Sequence, residues 1–176
     1  MPKYVAFLRA INVGGLVVKL DQLKRFFIEA GFENVETFIA SGNVIFDSKS
    51  KNTQSIEKKV EKHLESQLGY AVRTFVRSID EVAEIAAYAP FKADADGERI
   101  FIGFLEGKLE PSAVEKIHAS STETDLFHVR DREFFWLCRT PMSDSKFFGP
   151  LLEKTLGART TLRNSNTVKR IVAKYS

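Results

Sequence analysis

Cysteine is nearly missing: Cys138 stands alone in 176 residues, which excludes an internal disulfide and any thiolate metal cage. Long apolar runs are missing too. No stretch approaches the roughly 20 apolar residues that a membrane-crossing helix needs. The N-terminal run Tyr4-Val5-Ala6-Phe7-Leu8 breaks at Arg9, too early for a signal peptide. With no address in view, the expected compartment is the cytoplasm and no membrane partner is expected. Charge of one sign is scarce, since 26 Lys and Arg face 23 Asp and Glu, for a net charge of +3. That balance permits contact with an anion but falls short of the basic bias of a dedicated nucleic-acid binder. Walker loops, nucleophile elbows, Rossmann fingerprints and His-Glu-x-x-His pairs do not occur, so no cofactor is expected. The Asp and Glu residues show no local pairing that singles out a catalytic dyad.

What is present is an ordinary globular composition, 44% hydrophobic and 28% charged. Fifteen Phe against four Tyr and one Trp point to a core filled by rings without a polar tip. A chain of this length buries about two-thirds of its unfolded surface, enough for one compact body or two small lobes.

Strand and helix signals run β-α-β-β-α-β twice. Residues 4–11 read as a strand covered on both faces, Val5 and Phe7 on one and Ala6 and Leu8 on the other. A turn at Asn12-Val13-Gly14-Gly15 follows. Leu20, Leu23, Phe26, Phe27 and Ala30 then fall at helical spacing, closed by Gly31. Strands are expected at 35–40 and 43–47, joined through Ser41-Gly42. Ile56, Val60, Leu64 and Leu68 mark a second helix ended by Gly69, and 71–76 supplies a fourth strand. Ser78 and Glu81 form a capping box that opens a linking helix, which stops before Pro90.

The polar stretch 92–98 is the expected boundary. Beyond it come a strand at 99–105, a helix from Pro111, strands at 124–129 and 132–138, and a helix over 147–156 that begins or bends at Pro150. A strand at 159–162 and a final helix through Val168, Ile171, Val172 and Tyr175 complete the chain. The reading is an α+β protein of two ferredoxin-like βαββαβ repeats with antiparallel sheets. It assigns 1–77 to the first half, 78–97 to the link, and 98–176 to the second half with its C-terminal helix.

In such a repeat the strand order is 4-1-3-2, so the loop leaving strand one lies at the same sheet end as the turn between strands two and three. Arg9, Asn12, Gly14 and Gly15 are therefore expected beside Ser41, Gly42 and Asn43. Paired glycines let a backbone approach a ligand closely, and the amides opening the next helix near Lys19 carry partial positive charge. These are the makings of an anion pocket, although turn chemistry alone also accounts for the glycines. A second cluster is Arg163, Asn164, Thr167 and Lys169. Asn164 suits the N-cap of the last helix. Two cations beside a helix N-terminus each cost roughly 0.3–1 kcal/mol, a conflict that a bound phosphate or carboxylate would relieve.

Other chemistry is weaker. A hairpin turning at Arg130-Asp131 would set Glu133 opposite His128 and leave Cys138 about five residues, or ~16 Å, along the ladder, so a Cys–His nucleophile pair is not expected. His63 and His118 sit on separate helices without an i+4 partner, which argues against a metal site. No residue is assigned as a nucleophile, and whether the protein is an enzyme stays open. RNA-recognition modules share this strand order and stack bases on aromatics of strands one and three. Phe7 and Phe46 occupy those strands, but Val44 and Ile45 replace the strand-three signature, so both rings are expected in the core. Self-association through an exposed strand edge is a further alternative.

Four segments carry a resemblance. Phe7-Leu8-Arg9-Ala10-Ile11-Asn12-Val13-Gly14-Gly15, Ser41-Gly42-Asn43-Val44-Ile45-Phe46, Leu152-Glu153-Lys154, and Thr161-Leu162-Arg163-Asn164 with Thr167-Val168 together resemble domain-of-unknown-function family 1697, a family of soluble bacterial proteins. The resemblance spans almost the whole chain, and Leu-Arg-x-Ile-Asn-Val-Gly-Gly is its most specific part. It implies an α+β fold with ferredoxin-like repeats and no established activity. The chain departs from the family pattern at Ala10 (usually Gly), Ala40 (usually Gln) and Ser165 (usually Trp). The function expected from sequence is recognition of a small phosphate- or carboxylate-bearing ligand, with an RNA- or DNA-binding module and a self-associating module as the alternatives.

Overall fold

A computed structural model describes residues 1–9, 11, 17–39, 42–91 and 99–176. The expected turn at 12–15, Ser41 and the expected boundary at 92–98 lie outside the described residues. The chain divides into two compact units, Met1–Ile85 with Ile171–Ser176, and Ala86–Arg170.

In the first unit, alternating apolar residues build β1 (Lys3–Leu8), β2 (Glu33–Thr37), β3 (Asn43–Asp47) and β4 (Thr74–Ser78). They pair in the order β2-β3-β1-β4, all antiparallel, as the ferredoxin-like topology requires. Tyr4, Ala6 and Leu8 point into a core shared with Leu23, Phe26 and Phe27 of α1 (Leu20–Glu29) and Ile56, Val60 and Leu64 of α2 (Thr53–Leu68). Val5 and Phe7, on the other face, are also buried, so β1 is covered on both sides. Asn52 Oδ1 accepts the Ser55 amide at 3.0 Å and starts α2; Gly69, at φ +80°, stops it. The capping box forms: Glu81 Oε2 accepts the Ser78 amide at 2.8 Å, and Ser78 Oγ accepts the Glu81 amide at 3.2 Å. It opens α3 (Ile79–Ala87).

Three strands of this unit have limits that differ from the sequence reading. β1 ends at Leu8 rather than residue 11, and β4 begins at Thr74 rather than residue 71, because Leu8 and Thr74 are the last register partners of that ladder. β2 starts two residues early, with a register irregularity between Glu33 and Glu36. It stops at Thr37 because Ile39 sits at φ +63°, a region closed to extended β-branched residues.

The second unit repeats the plan with β5 (Arg99–Leu105), α4 (Pro111–Ala119), β6 (Asp125–Arg130), β7 (Glu133–Cys138), α5 (Pro150–Leu156) and β8 (Thr160–Asn164), and with a 3-10 turn at Met142–Asp144 that the sequence reading lacks. The sheet order is β6-β7-β5-β8. α6 (Ser165–Tyr175) follows β8 directly. β8 runs to Asn164, two residues past the expected end, because its pairing with β5 continues to Phe101. α5 begins at Pro150 after Gly149 at φ +108°, so Phe147 precedes the helix and packs its ring against Phe127, centroids 4.8 Å apart. The core of this unit holds Leu105, Ile117, Phe127, Phe134, Trp136, Cys138, Phe147, Leu152 and Leu156.

Gly103 shows how tightly that core is filled. A Cβ there would lie 2.0 to 2.6 Å from three carbons of the Phe134 ring, the register partner of Gly103 across the β5–β7 ladder. Gly103→Ala is expected to destabilise the protein by about 2 kcal/mol, the usual scale of core overpacking. Gly107→Ala, with nothing near its Cβ position, is expected to leave thermal denaturation almost unchanged. Equal midpoints for the two variants would contradict this packing.

Candidate functional site

The described residues flanking the two expected corners do meet. The Leu8 amide donates to the Gly42 carbonyl at 2.9 Å, and a Cβ on Gly42 would lie 2.7 Å from Ile11 Cγ2 and 3.2 Å from Leu8 Cβ. Gly42 also sits at φ +81°, so backbone conformation and close approach both require glycine there. Arg9 leaves β1 half-buried, and its amide donates to the Arg73 carbonyl at 2.9 Å. Two arginines therefore share this end of the sheet. Asn43 is fully buried, and its Nδ2 donates to the Phe38 carbonyl at 3.0 Å, which ties the β2–β3 connection. Asn12, Gly14, Gly15 and Ser41 lie outside the described residues. Arg73 was absent from the sequence reading, although the 4-1-3-2 order already places the start of strand four beside the end of strand one.

The second cluster lies in the second unit and is built differently from the expectation. Arg163 is the penultimate residue of β8 and is buried; its Nη1 donates to Thr161 Oγ1 at 2.7 Å and to the Leu162 carbonyl at 2.8 Å. Burial brings its pKa down to about 10, so the guanidinium stays charged at neutral pH. Asn164 does cap: its Oδ1 accepts the Asn166 amide at 2.9 Å. Thr167, half-buried, and Lys169, exposed, lie on the first turns of α6.

The hairpin register also needs correcting. Asp131 adopts φ +52°, so the turn falls one residue later than expected; Arg130 pairs with Glu133 and His128 with Phe135. Cys138 then pairs with Asp125, three residues along β6 from His128, about 10 Å away. The odd spacing puts the two side chains on opposite faces of the sheet, so the pair still does not form. Asp125 is buried, with Oδ1 accepting from Trp136 Nε1 at 2.8 Å and Ser145 Oγ at 2.9 Å. Its carboxylate fixes the loop after β7 to the sheet.

His118 and His128 come together, which their positions in sequence did not suggest. Their rings stack with centroids 6.0 Å apart. Tyr88 Oη lies 2.7 Å from His128 Nε2, and the Arg130 guanidinium sits 4.2 Å above the Tyr88 ring. Among the described residues no group of three or more His, Cys, Asp or Glu is placed to hold a metal.

A cleft of about 320 Å³ opens at the other end of the first sheet, beside Phe32, Asp47, Lys49, Ser55 and Lys59. None of the residues expected from sequence lines it. Asp47 Oδ2 accepts from Asn34 Nδ2 at 2.7 Å, and its other oxygen is buried without a hydrogen-bond partner among the described residues.

Two repeats of βαββαβ with 4-1-3-2 sheets define an α+β protein of the ferredoxin-like kind. Its family follows from sequence: residues 1–135 match the family described as Protein of unknown function (DUF1697), and the chain belongs to it. A conserved bacterial protein, SP0830 from Streptococcus pneumoniae, has a similar solved structure, with a TM-score of 0.79 at 23% identity over 98% of this chain and 97% of that one. At that identity the likeness shows the fold. No curated protein matches. Among the described residues no helix is long and apolar enough to cross a membrane.

Cys138 gives a direct check on the second core. It is fully buried, and burial, reinforced by Asp125, pushes its thiol pKa up to about 12. A disulfide thiol reagent at about pH 8 is expected to leave the native protein unmodified and to label one thiol per chain in denaturant. Rapid labelling of the native protein would contradict this placement.

Proposed function

We propose that the protein binds a small anionic molecule, phosphate- or carboxylate-bearing, in the cytoplasm, at the corner where Arg9 leaves β1. One observation carries this reading: the main-chain bonds Leu8 to Gly42 and Arg9 to Arg73 set two arginines side by side at the sheet end where the β2–β3 turn lies. Arginine forks match carboxylate and phosphate oxygens in geometry as well as charge. The proposed wall is Arg9, Arg73 and Gly42, with Asn12, Gly14, Gly15 and Ser41 as the loop residues that would complete it. Asn43 and Arg163 support the fold in this reading, and Asn164 serves as a cap. The aromatics that an RNA-binding sheet would need argue for the small ligand, since Phe7 and Phe46 are fully buried and offer no face to a base.

The test is a titration with inorganic phosphate, pyrophosphate, nucleoside monophosphates and citrate, read by thermal shift and calorimetry. A ligand at 100 times its dissociation constant is expected to add ~2.7 kcal/mol of stability. Arg9→Ala and Arg73→Ala are each expected to weaken binding roughly tenfold or more, the scale of a charged hydrogen bond, and the ligand-free midpoint of each variant reports its folding. Silence of the wild type across the panel, or unchanged affinity in both folded variants, would overturn the proposal.

A further inference from the structure

The outer strand of each sheet has a row of amides that no strand pairs, and the two units cover one such row with different chemistry. On β4 the outward amides are Thr74, Val76 and Ser78. They donate to carboxylates: Glu61 Oε1 at 3.4 Å, Glu57 Oε1 at 3.1 Å and Glu81 Oε2 at 2.8 Å. On β6 the outward amides are Asp125, Phe127 and Val129. They donate to Thr122 Oγ1 at 3.1 Å, Ser121 Oγ at 3.2 Å and His118 Nε2 at 3.0 Å.

An imidazole nitrogen accepts a hydrogen bond only while it carries no proton. The Val129 contact therefore needs neutral His118 with its proton on Nδ1, whereas a carboxylate goes on accepting down to about pH 4. The surroundings of the pair are aromatic and basic. His118 stacks on His128, and Arg130 lies over the Tyr88 ring that bonds His128. The remaining groups around the pair are few. Phe91 and Phe135 pack against His128, Glu133 of β7 lies opposite Arg130, and Glu115 and Lys116 precede His118 on α4. α5 shares the core of this unit through Leu152 and Leu156.

We propose that His118, stacked on His128, forms an acid-released latch on β6. At neutral pH its Nε2 covers the Val129 amide; on protonation it lets that amide go, while the carboxylate-covered edge of β4 stays closed. The stability linkage has the same sign. Burial, then His118, then Arg130 hold the His128 pKa below the ordinary imidazole range. The unfolded chain thus takes up that proton first, and stability declines as pH falls below about 6.5.

The test is amide exchange on the 15N-labelled full chain at about pH 7.5 and about pH 5.5, with Val76 as the internal reference. Val129 protection, corrected for intrinsic rate, is expected to fall roughly fivefold on acidification, the weight of one net hydrogen bond, while Val76 protection holds. His118→Gln, which keeps an acceptor that does not titrate, is expected to remove the pH dependence. His118→Ala is expected to lower Val129 protection at both pH values. Ring 15N spectra at neutral pH are expected to show His118 as the Nδ1–H tautomer. A Val129 response that matches Val76, a pH dependence that survives His118→Gln, or an Nε2–H tautomer would each overturn the latch.

Discussion

Unpaired strand amides set the terms for this structure. A sheet has two edges, and a bare edge invites water or another chain. In the first unit, helix side chains take that place. Glu57 and Glu61 are four residues apart on α2 and reach amides two apart on β4. Four helical residues rise about 6 Å and two strand residues about 6.8 Å, so the two spacings nearly match. The earlier glutamate meets the later amide, which is the antiparallel run of helix against strand that a βαββαβ crossover produces. The same contact satisfies Glu57, a buried carboxylate that would otherwise be costly to desolvate. Position of the helix, closure of the edge and solvation of the charge are settled together.

The second unit reaches the same topology with other residues and closes the opposite edge of its repeat. Its helix α4 ends beside β6, and the residues that carry the chain from one to the other supply the acceptors. Hydroxyls and an imidazole are short and neutral, so they suit a strand joined closely to its covering segment. Glutamates suit a strand reached from the middle of a long helix. Thus the repeats agree in strand order and disagree in local chemistry.

Much of this architecture was legible in the chain. Helix periodicity, the glycines at 31 and 69, the Ser78–Glu81 box and the strand order with its adjacent corners all followed from local rules. What was not legible depended on partners. β4 and β8 take their limits from where β1 and β5 stop pairing, and no periodicity shows that. The β6–β7 register turned on Asp131 entering the left-handed region, which shifted every facing pair. Glu57 and Glu61 lie off the apolar stripe of α2, and a helix face shows no sign of a strand edge beneath it. Arg73 was within reach, since the topology that joined Arg9 to Gly42 also joins Arg9 to the start of β4. The His118–His128 contact was not, because one residue faces sideways from a helix and the other lies on a sheet.

The lone tryptophan, Trp136, is fully buried in the second unit, with its indole N–H held by the Asp125 carboxylate and its ring near Phe127. Its near-ultraviolet emission is consequently a private signal of that unit, whereas the circular dichroism of the helices belongs to both. Denaturation followed by the two optical probes would coincide if the units melt as one cooperative body and separate if each has its own transition. The fold thus carries a built-in label for telling its halves apart, with no dye or engineered reporter needed.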